Sequence, residues 1–259
     1  MTGYDGLTVT RDPDRRLATI ILDAPEKMNR VTMLAREQLR AIFEELSRDE
    51  TVGFVVLAGA GEKAFTAGGD IEGFLAAEPE TLTRLADNIA APERCPKPVI
   101  AKLRGYCFGV GFELALACDF RIAADNVQLA LPELTLGMIP GSGGTQRLAR
   151  IAGLGRAKDI VMRRRRVGAE EALAIGLVTE VVPAAELDEA VSRLVDDLAG
   201  LSPLALAMAK RVLNTAYDGP LHTGLELEGL AYGLLQQTHD FREGVEAFTE
   251  KRRPEFDGT

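Results

Sequence analysis

The stretch that decides the fold is Gly105-Tyr-Cys-Phe-Gly-Val-Gly-Phe-Glu-Leu-Ala-Leu-Ala-Cys-Asp119. Its glycines predict a turn, and its apolar residues predict a buried helix from about Phe112. A glycine-rich turn that leads into a helix leaves backbone N–H groups without partners at the positive end of the helix dipole. This geometry suits an anion, or an oxygen that acquires negative charge during a reaction. Glu113 stands in the first turn, where a carboxylate either serves such a site or simply complements the dipole.

Two loops elsewhere have the composition of partners for this stretch. Residues 63–71 (Lys-Ala-Phe-Thr-Ala-Gly-Gly-Asp-Ile) follow a predicted buried strand and form a second place where backbone N–H groups can point at a ligand. Residues 131–144 carry Glu133 among prolines and glycines. Loops of this kind on a rigid core are where catalytic residues concentrate. We therefore treat the three segments as candidates for one site.

The apolar patterning predicts an α/β core followed by a tail of helices alone. Short apolar runs predict strands at 7–10, 17–22, 54–57, 99–103, 120–123 and 127–131. Helical spacing predicts helices at 33–47, 81–91, 145–152, 169–173, 187–198, 203–216, 225–237 and 241–252. We place the core at 1–197 and the helical extension at 198–259.

The composition narrows the possible functions. With 39 acidic against 30 basic residues, the net charge of −9 disfavours general binding to nucleic acid or to anionic membranes. No apolar run reaches membrane-spanning length and residues 1–16 lack a signal pattern, so we expect a cytoplasmic protein.

Cys95, Cys107 and Cys118 lack CxxC spacing, which favours buried reduced thiols. His222 and His239 have no ligand or nucleophile pattern nearby, so we expect no metal site and no Ser-His-Asp triad.

Taken together, the motifs resemble those of the enoyl-CoA hydratase/isomerase family, also called the crotonase family. They occur in the family's order and cover nearly the whole chain. The stretches that carry the resemblance are 25–29 (Pro-Glu-Lys-Met-Asn), 64–71, 105–119, 132–148, 169–178 and 240–248. The resemblance implies a crotonase-like spiral of ββα units with a C-terminal helical trimerisation region. It also implies an acyl-CoA thioester substrate, a homotrimer or dimer of trimers, and no cofactor beyond the coenzyme A of the substrate.

The resemblance also assigns roles within the site. It places two oxyanion-hole donors on the backbone N–H groups of Gly69 and Val110. In hydratases of the family two glutamates face the substrate double bond, and they match Glu113 and Glu133. Isomerases typically keep only the second, so the presence of both favours a hydratase that converts a 2-enoyl-CoA into a 3-hydroxyacyl-CoA. Which glutamate is the acid and which the base stays open.

Four further residues are expected at the substrate: Ala67, Asp70, Ile71 and Gly141. On the resemblance alone, the N–H of Gly141 helps to position the attacking water. Asp70 follows a turn, and such an aspartate is more often a helix cap. Val110 departs from the family, in which glycine is common at this position. A backbone donor survives that change, while the branched side chain narrows the acyl pocket.

Several alternatives stay open. Within the family they are isomerisation of a double bond and hydration of a cyclic or substituted enoyl-CoA. From another class, an RNA- or protein-binding module would use the run Arg163-Arg-Arg-Arg166, although a charge run is more often a solvated face. Arg30 stands where the family commonly has alanine. We read it as a surface residue rather than as a contact to a CoA phosphate.

Overall fold

The computed structural model describes residues 4–259, and their contacts divide the chain into two compact units. The first comprises the chain up to Cys95 together with Val99–Val191, and the second comprises Pro96–Pro98 and Ser192–Thr259. Our placement of a domain boundary after residue 197 stays a prediction. No helix in the described part of the chain combines the length and the apolar character that a bilayer crossing requires.

The strands of the first unit form two sheets. They are β1 (Leu7–Asp12), β2 (Leu17–Leu22), β3 (Phe54–Gly59), β4 (Ala64–Thr66), β5 (Val99–Leu103), β6 (Tyr106–Phe108), β7 (Phe120–Ala124), β8 (Gln128–Ala130), β9 (Val167–Gly168) and β10 (Glu180–Val182). One sheet has the order β1-β2-β3-β5-β7-β10, in which β1 and β2 are antiparallel and the other neighbours parallel. The other has the order β4-β6-β8-β9, in which β8 and β9 are antiparallel.

The helices follow the strands and then continue alone. In the first unit they are α1 (Met33–Arg48), α2 (Ile71–Ala76), α3 (Pro79–Thr83), α4 (Leu85–Ile89), α5 (Ala91–Arg94), α6 (Val110–Leu116), α7 (Gly144–Ala152), α8 (Leu154–Met162) and α9 (Ala169–Ala174). Helix α10 (Leu187–Ala199) runs on into the second unit. That unit then holds α11 (Pro203–Asn214), α12 (Leu221–Leu235) and α13 (His239–Glu250).

The first unit is a spiral of ββα units, which confirms the predicted fold class. The pairs β3/β4, β5/β6 and β7/β8 each place one strand in each sheet, and each pair is followed by a helix. Buried residues of the larger sheet, among them Ile20, Val55 and Val99, join Leu39 and Phe43 of α1 in one apolar cluster. This cluster supports the short turns between strands and helices, where the candidate site residues lie.

The second unit is helical, and a buried aspartate fixes its chain end. Ser202 caps α11 by accepting the N–H of Ala205, and its hydroxyl donates to Asp240 Oδ2 at 2.6 Å. The other oxygen of Asp240 accepts the N–H groups of Asp257 and Gly258 at 3.0 and 3.1 Å. Asp240 is 3% exposed, so these bonds compensate the burial of its carboxylate.

Most predicted elements are present, with their ends shifted by a few residues. The predicted helix at 81–91 is wrong, because α3, α4 and α5 take its place. Helix α8 and the short strands β4, β6, β9 and β10 were not predicted. The three cysteines are buried thiols that form no disulfide with one another, as the sequence indicates.

Candidate active site

Helix α6 begins at Val110, two residues earlier than predicted, because Gly109 forms its N-cap. Gly109 has φ 54° and ψ −127°, a conformation that glycine adopts readily and other residues do not. As the first residue of the helix, Val110 has an N–H with no carbonyl four residues before it inside the helix. Val110 also borders the cavity described below.

Gly69 reaches the same cavity from the loop between β4 and α2. Val31 pairs with this loop through the carbonyl of Gly68 and the N–H of Asp70, at 3.0 and 3.1 Å. The N–H of Gly69, which lies between these two groups, takes no part in the pairing with Val31. A Cβ placed on Gly109 would lie 3.8 Å from Gly68 Cα, so the two glycine-rich turns approach closely. The two predicted oxyanion-hole residues thus line one cavity.

Glu113 is held by the main chain at the start of α7. Its side chain is buried, and Oε1 accepts the N–H of Ser142 at 2.7 Å and that of Gly144 at 2.9 Å. Both donors lie where α7 begins, at the positive end of the helix dipole. These two bonds fix the orientation of the Glu113 carboxylate inside the cavity.

Glu133 begins a short 3-10 turn after Pro132 and is half-buried. Its Oε2 is buried and has no hydrogen-bond partner among the described residues. Burial, with a further contribution from the charge of Glu113, raises the pKa of Glu133 to about 7, against the opposing effect of Arg36. A Cβ placed on Gly109 would meet Glu133 Oε1 at 3.1 Å, which places the carboxylate beside the start of α6.

Arg36, a third charged residue of the cavity, was not predicted from the sequence. It lies on α1, is 2% exposed, and donates from Nη1 to Ser142 Oγ at 2.9 Å. Its guanidinium also lies over the ring of Phe74, 5.3 Å from the centroid. A signal was present in the sequence, because Arg36 precedes Leu39 by three residues and Phe43 by seven. It therefore falls on the apolar face of a helix that was correctly predicted.

The cavity has a volume of about 270 Å³ and is mainly apolar away from its charged residues. Of the residues expected at the substrate, Ala67, Ile71 and Gly141 line it. The other apolar lining comes chiefly from the following side chains: Phe74, Leu82, Leu85, Leu136, Met138 and Ile139. The structure therefore brings together Glu113, Glu133, Gly69 and Val110, although the roles assigned to them stay predictions.

Asp70 is not among the residues that line the cavity. It occupies the N-cap position of α2, as the alternative reading expects, but its side chain makes no capping hydrogen bond. Its Oδ1 instead accepts a hydrogen bond from Arg30 Nη1 at 3.1 Å, in an ion pair. Arg30 is thereby only partly exposed, and the pair ties the end of the Gly69 loop to the segment before α1. A contact between Asp70 and substrate stays a prediction.

One group of side chains in residues 4–259 has ligand atoms close enough together for a metal ion. It consists of His239, Asp240 and Asp257 in the second unit. The carboxylate of Asp240 already accepts three hydrogen bonds from the protein, as described above. We therefore assign no metal to this group, and the expected absence of a metal or separate cofactor stays a prediction.

The arginine run makes contacts within the first unit. Arg163 and Arg165 donate to Asp159 at 2.7 and 2.6 Å, and Arg165 also pairs with Glu171. Arg166 lies over the ring of Phe108, 5.1 Å from its centroid. Three of the four guanidinium groups thus have partners on neighbouring elements, which favours a structural use of the run over a nucleic-acid surface.

A spiral of ββα units, with Gly69, Val110, Glu113 and Glu133 lining one mainly apolar cavity, is the arrangement of a crotonase-type α/β enzyme. The family model for enoyl-CoA hydratase/isomerase matches residues 13–259. The chain belongs to the enoyl-CoA hydratase/isomerase family, and the resemblance seen in its motifs is confirmed.

Named relatives and solved structures agree with this assignment. The short-chain-enoyl-CoA hydratase of Clostridium acetobutylicum is 34% identical over 253 residues, covering 95% of this chain and 96% of the relative. The crotonyl-CoA hydratase of Syntrophomonas wolfei is 34% identical over 249 residues, with 95% and 96% covered. The crystal structure of enoyl-CoA hydratase from Bacillus anthracis superposes with a TM-score of 0.91 at 37% identity, covering 98% of this chain and 100% of that one.

Proposed function

We propose that this protein is an enoyl-CoA hydratase, which adds water across the double bond of a 2-enoyl-CoA to give a 3-hydroxyacyl-CoA. The observation that carries the proposal is the meeting of Glu113 and Glu133 with the N–H groups of Gly69 and Val110 around one cavity. The names of the relatives support it, since two of them are called hydratases of short-chain enoyl-CoA and of crotonyl-CoA.

The two N–H groups act on the thioester oxygen. When a hydroxyl adds to C3, negative charge develops on this oxygen in an enolate-like transition state. Donors that are already oriented stabilise the charge without reorganising, and removing one such donor typically costs about 3–4 kcal/mol. Gly69 and Val110 supply the donors from the backbone, so the site needs no metal ion to polarise the carbonyl group.

The two glutamates carry the protons. One takes a proton from the attacking water and the other delivers a proton to C2. A pKa near 7 lets Glu133 exchange a proton readily at neutral pH, which is the condition under which general acid–base catalysis is most effective. Glu113 is fixed by two backbone N–H groups and so presents its remaining oxygen in a defined direction. The pair is proposed to act together on one water, and Gly141, at the cavity wall, is proposed to position it.

The size of the cavity indicates a short acyl group. Its volume of about 270 Å³ lies just below the range for small-molecule sites, which is about 300–1,000 Å³. The buried side chain of Val110 takes up part of the space beside the oxyanion-hole position. We therefore propose that acyl chains of about four carbons are preferred to long ones, and that the large CoA group binds outside this cavity.

The test is a panel of enoyl-CoA thioesters of different chain length and ring content, with identification of the products. Wild-type protein, Glu113→Gln and Glu133→Gln are assayed for both hydration and double-bond isomerisation. We expect hydration of short 2-enoyl-CoAs by the wild type and a loss of at least about a hundredfold in each variant. Binding of the CoA ester should change little, because the CoA group is proposed to bind outside the cavity that holds the two glutamates.

The same assay separates the alternatives. An isomerase would lose activity mainly in Glu133→Gln, while Glu113→Gln would remain close to the wild type. A binding module would show no turnover with any thioester. Hydration by Glu113→Gln at the wild-type rate would overturn the assignment of two acid–base glutamates.

A further inference from the structure

Arg36 is a buried cation that the proposed chemistry does not use. Its Nε atom is buried and has no hydrogen-bond partner among the described residues. Burial lowers the pKa of Arg36 to about 10, so the guanidinium remains charged at neutral pH. Keeping an arginine charged in an apolar interior is costly unless other groups compensate it. The groups near Arg36 are therefore informative about its role.

The compensating charges are the two candidate catalytic glutamates. Glu113 and Glu133 both act electrostatically on Arg36, and all three residues line the same cavity. No direct hydrogen bond joins Arg36 to either carboxylate in the described structure. The cation thus lines the same cavity as the two glutamates without a direct hydrogen bond to either of them.

Ser142 connects Arg36 to Glu113. Its hydroxyl accepts the hydrogen bond from Arg36 Nη1, and its N–H donates to Glu113 Oε1. On its other side, Arg36 Nη2 would lie 2.9 Å from a Cβ placed on Gly69. Arg36 therefore packs between the loop that holds Glu113 and the loop that carries a proposed oxyanion donor.

We propose that Arg36 is a positioning residue for the hydration: it holds Ser142, and through it Glu113, and its charge offsets the negative charge of the glutamate pair. This inference rests on the proposed function, because it assigns Arg36 a role through the two glutamates. Two carboxylates in one apolar cavity resist ionising together. A nearby fixed cation reduces that resistance, so that one carboxylate can be ionised while the other holds the proton that the reaction needs.

The pH dependence follows from the groups around Glu133. The charged groups that act on it are Glu113 from α6, which raises its pKa, and Arg36 from α1, which lowers it. Replacing Arg36 by an uncharged residue removes the lowering effect. We expect the pH midpoint of kcat/KM that reports the pair to move upward.

The test compares Arg36→Met with Arg36→Lys and with Arg40→Met. Arg36→Met removes the charge and keeps an apolar stem, whereas Arg36→Lys keeps a charge with a different geometry. Arg40 is the matched control, because it lies on the same helix but is exposed and pairs with Glu44. We expect an upward midpoint shift in Arg36→Met, little shift in Arg36→Lys, and none in Arg40→Met. If Arg36→Met does not fold, Arg36→Gln also removes the charge and retains a donor for Ser142.

Ser142→Ala separates position from charge. It removes the acceptor of Arg36 but leaves the N–H that donates to Glu113, and the guanidinium stays charged. We expect kcat to fall by about three- to tenfold with an almost unchanged KM and an unchanged pH midpoint. If Arg36 served packing alone, Arg36→Met would lower the free energy of unfolding and leave the pH midpoint of kcat/KM unchanged.

A direct titration keeps this inference distinct from the proposed function. Carbon-13 NMR of labelled glutamate carboxyls, assigned by difference with Glu133→Gln, reports the ionisation of Glu133 without any turnover. Absence of hydration by the wild type would overturn the proposed function, whatever Arg36 does. Hydration by the wild type with the same Glu133 titration and the same pH midpoint in Arg36→Met would overturn the role of Arg36.

Discussion

Val110 is the residue whose proposed contribution can be removed most selectively. Its N–H is the proposed oxyanion donor, and it is the first residue of α6. Proline lacks the N–H but is favoured at the first position of a helix, where that group has no intrahelical partner. One substitution can therefore delete the donor and leave the helix in place.

We expect Val110→Pro to fold and to lose turnover by a factor of about 10²–10³, the usual cost of an oxyanion donor. Val110→Gly keeps the donor and enlarges the cavity, so it should retain activity and accept longer acyl chains. Circular dichroism and steady-state kinetics on both variants check the prediction. Near-normal turnover in folded Val110→Pro would remove Val110 from the oxyanion hole.

Glu133 should make the free energy of unfolding fall as the pH rises, the opposite of the usual effect of a carboxylate in a folded protein. Burial raises its pKa from 4.5 to about 7, so between these values the folded protein keeps a proton that the unfolded chain has released. The free energy of unfolding then falls as the pH rises through this window, and the loss persists above about pH 7.

We expect Glu133→Gln, which carries no charge, to be more stable than the wild type at pH 8 by up to about 3 kcal/mol, since one pKa unit corresponds to about 1.4 kcal/mol. The difference should shrink towards pH 4.5. Chemical denaturation of both proteins at the two pH values measures it. An equal difference at pH 4.5 and pH 8 would show that Glu133 titrates normally in the folded protein.

The residues of the site were predictable to different degrees. Glu113 and Glu133 stand in glycine- and proline-rich motifs, so their positions were visible in the sequence. Arg36 was not recognised, because a long charged side chain on an amphipathic helix usually reaches solvent. Its burial depends on Ser142 and Phe74, which are distant in sequence, and no local pattern reports such contacts.

At the scale of elements, α6 lies against the strand β4 with no room for a side chain between them. A Cβ placed on Gly111 would lie 2.1 Å from Thr66 Cγ2, far inside the van der Waals distance. Gly111 is therefore the residue that lets the helix start reach the loop of Gly69. The hydroxyl of Thr66 has its own function, since it accepts the N–H of Gly68 at 3.0 Å.

We expect Gly111→Ala to destabilise the protein by about 1–3 kcal/mol, the usual cost of overpacking. Adding Thr66→Ser, which removes the clashing methyl group and keeps the hydroxyl, should restore most of the loss. Gly155→Ala on α8 is the control: it is exposed with no atom within 4 Å of the new Cβ, and it should stabilise by about 0.5–1 kcal/mol. Chemical denaturation of these three variants and of the wild type measures the changes. A loss in Gly111→Ala that Thr66→Ser does not repair would contradict the steric account.

The long elements were predicted well and the short ones poorly. Strand β5 and helix α1 carry clear apolar patterns, and their predicted ends lie within one residue of those observed. Strands β4 and β6 have three residues each and are defined by pairing with each other across the chain. The predicted helix at 81–91 is interrupted at Arg84 and at Ala90, both with ψ near 0°. Pro92 follows the second break, and it cannot donate the N–H that a continuous helix would use.

At the scale of the whole molecule, the second unit leaves apolar surface uncovered. In α12 Ala231 is buried, whereas Leu221, Leu230 and Leu234 are 79%, 68% and 62% exposed. Phe248 of α13 is 86% exposed. Leu230 and Leu234 lie one turn apart on α12, and exposed apolar patches usually mark a contact with another protein.

We expect these residues to be covered by copies of the same chain, in the trimer or dimer of trimers that the family resemblance implies. Analytical ultracentrifugation should then give three or six times the chain mass of 27.9 kDa, maintained on dilution to the concentrations used in assays. A stable monomer with full activity would contradict the prediction.

The two backbone hydrogen bonds to Glu113, from Ser142 and Gly144, constrain these two positions to different degrees. The donors are backbone N–H groups, which every amino acid except proline carries. Substitutions at Ser142 therefore change the cavity wall but keep the hydrogen bond to the Glu113 carboxylate. Gly144 tolerates far less, because a Cβ there would meet Glu113 Cγ at 2.9 Å. Substitution at Ser142 should therefore keep the backbone bond to Glu113 at the modest cost in kcat expected for Ser142→Ala, whereas substitution two residues later is severely restricted. Such an arrangement allows a lineage to acquire new acyl preferences by single substitutions while it retains its proton chemistry.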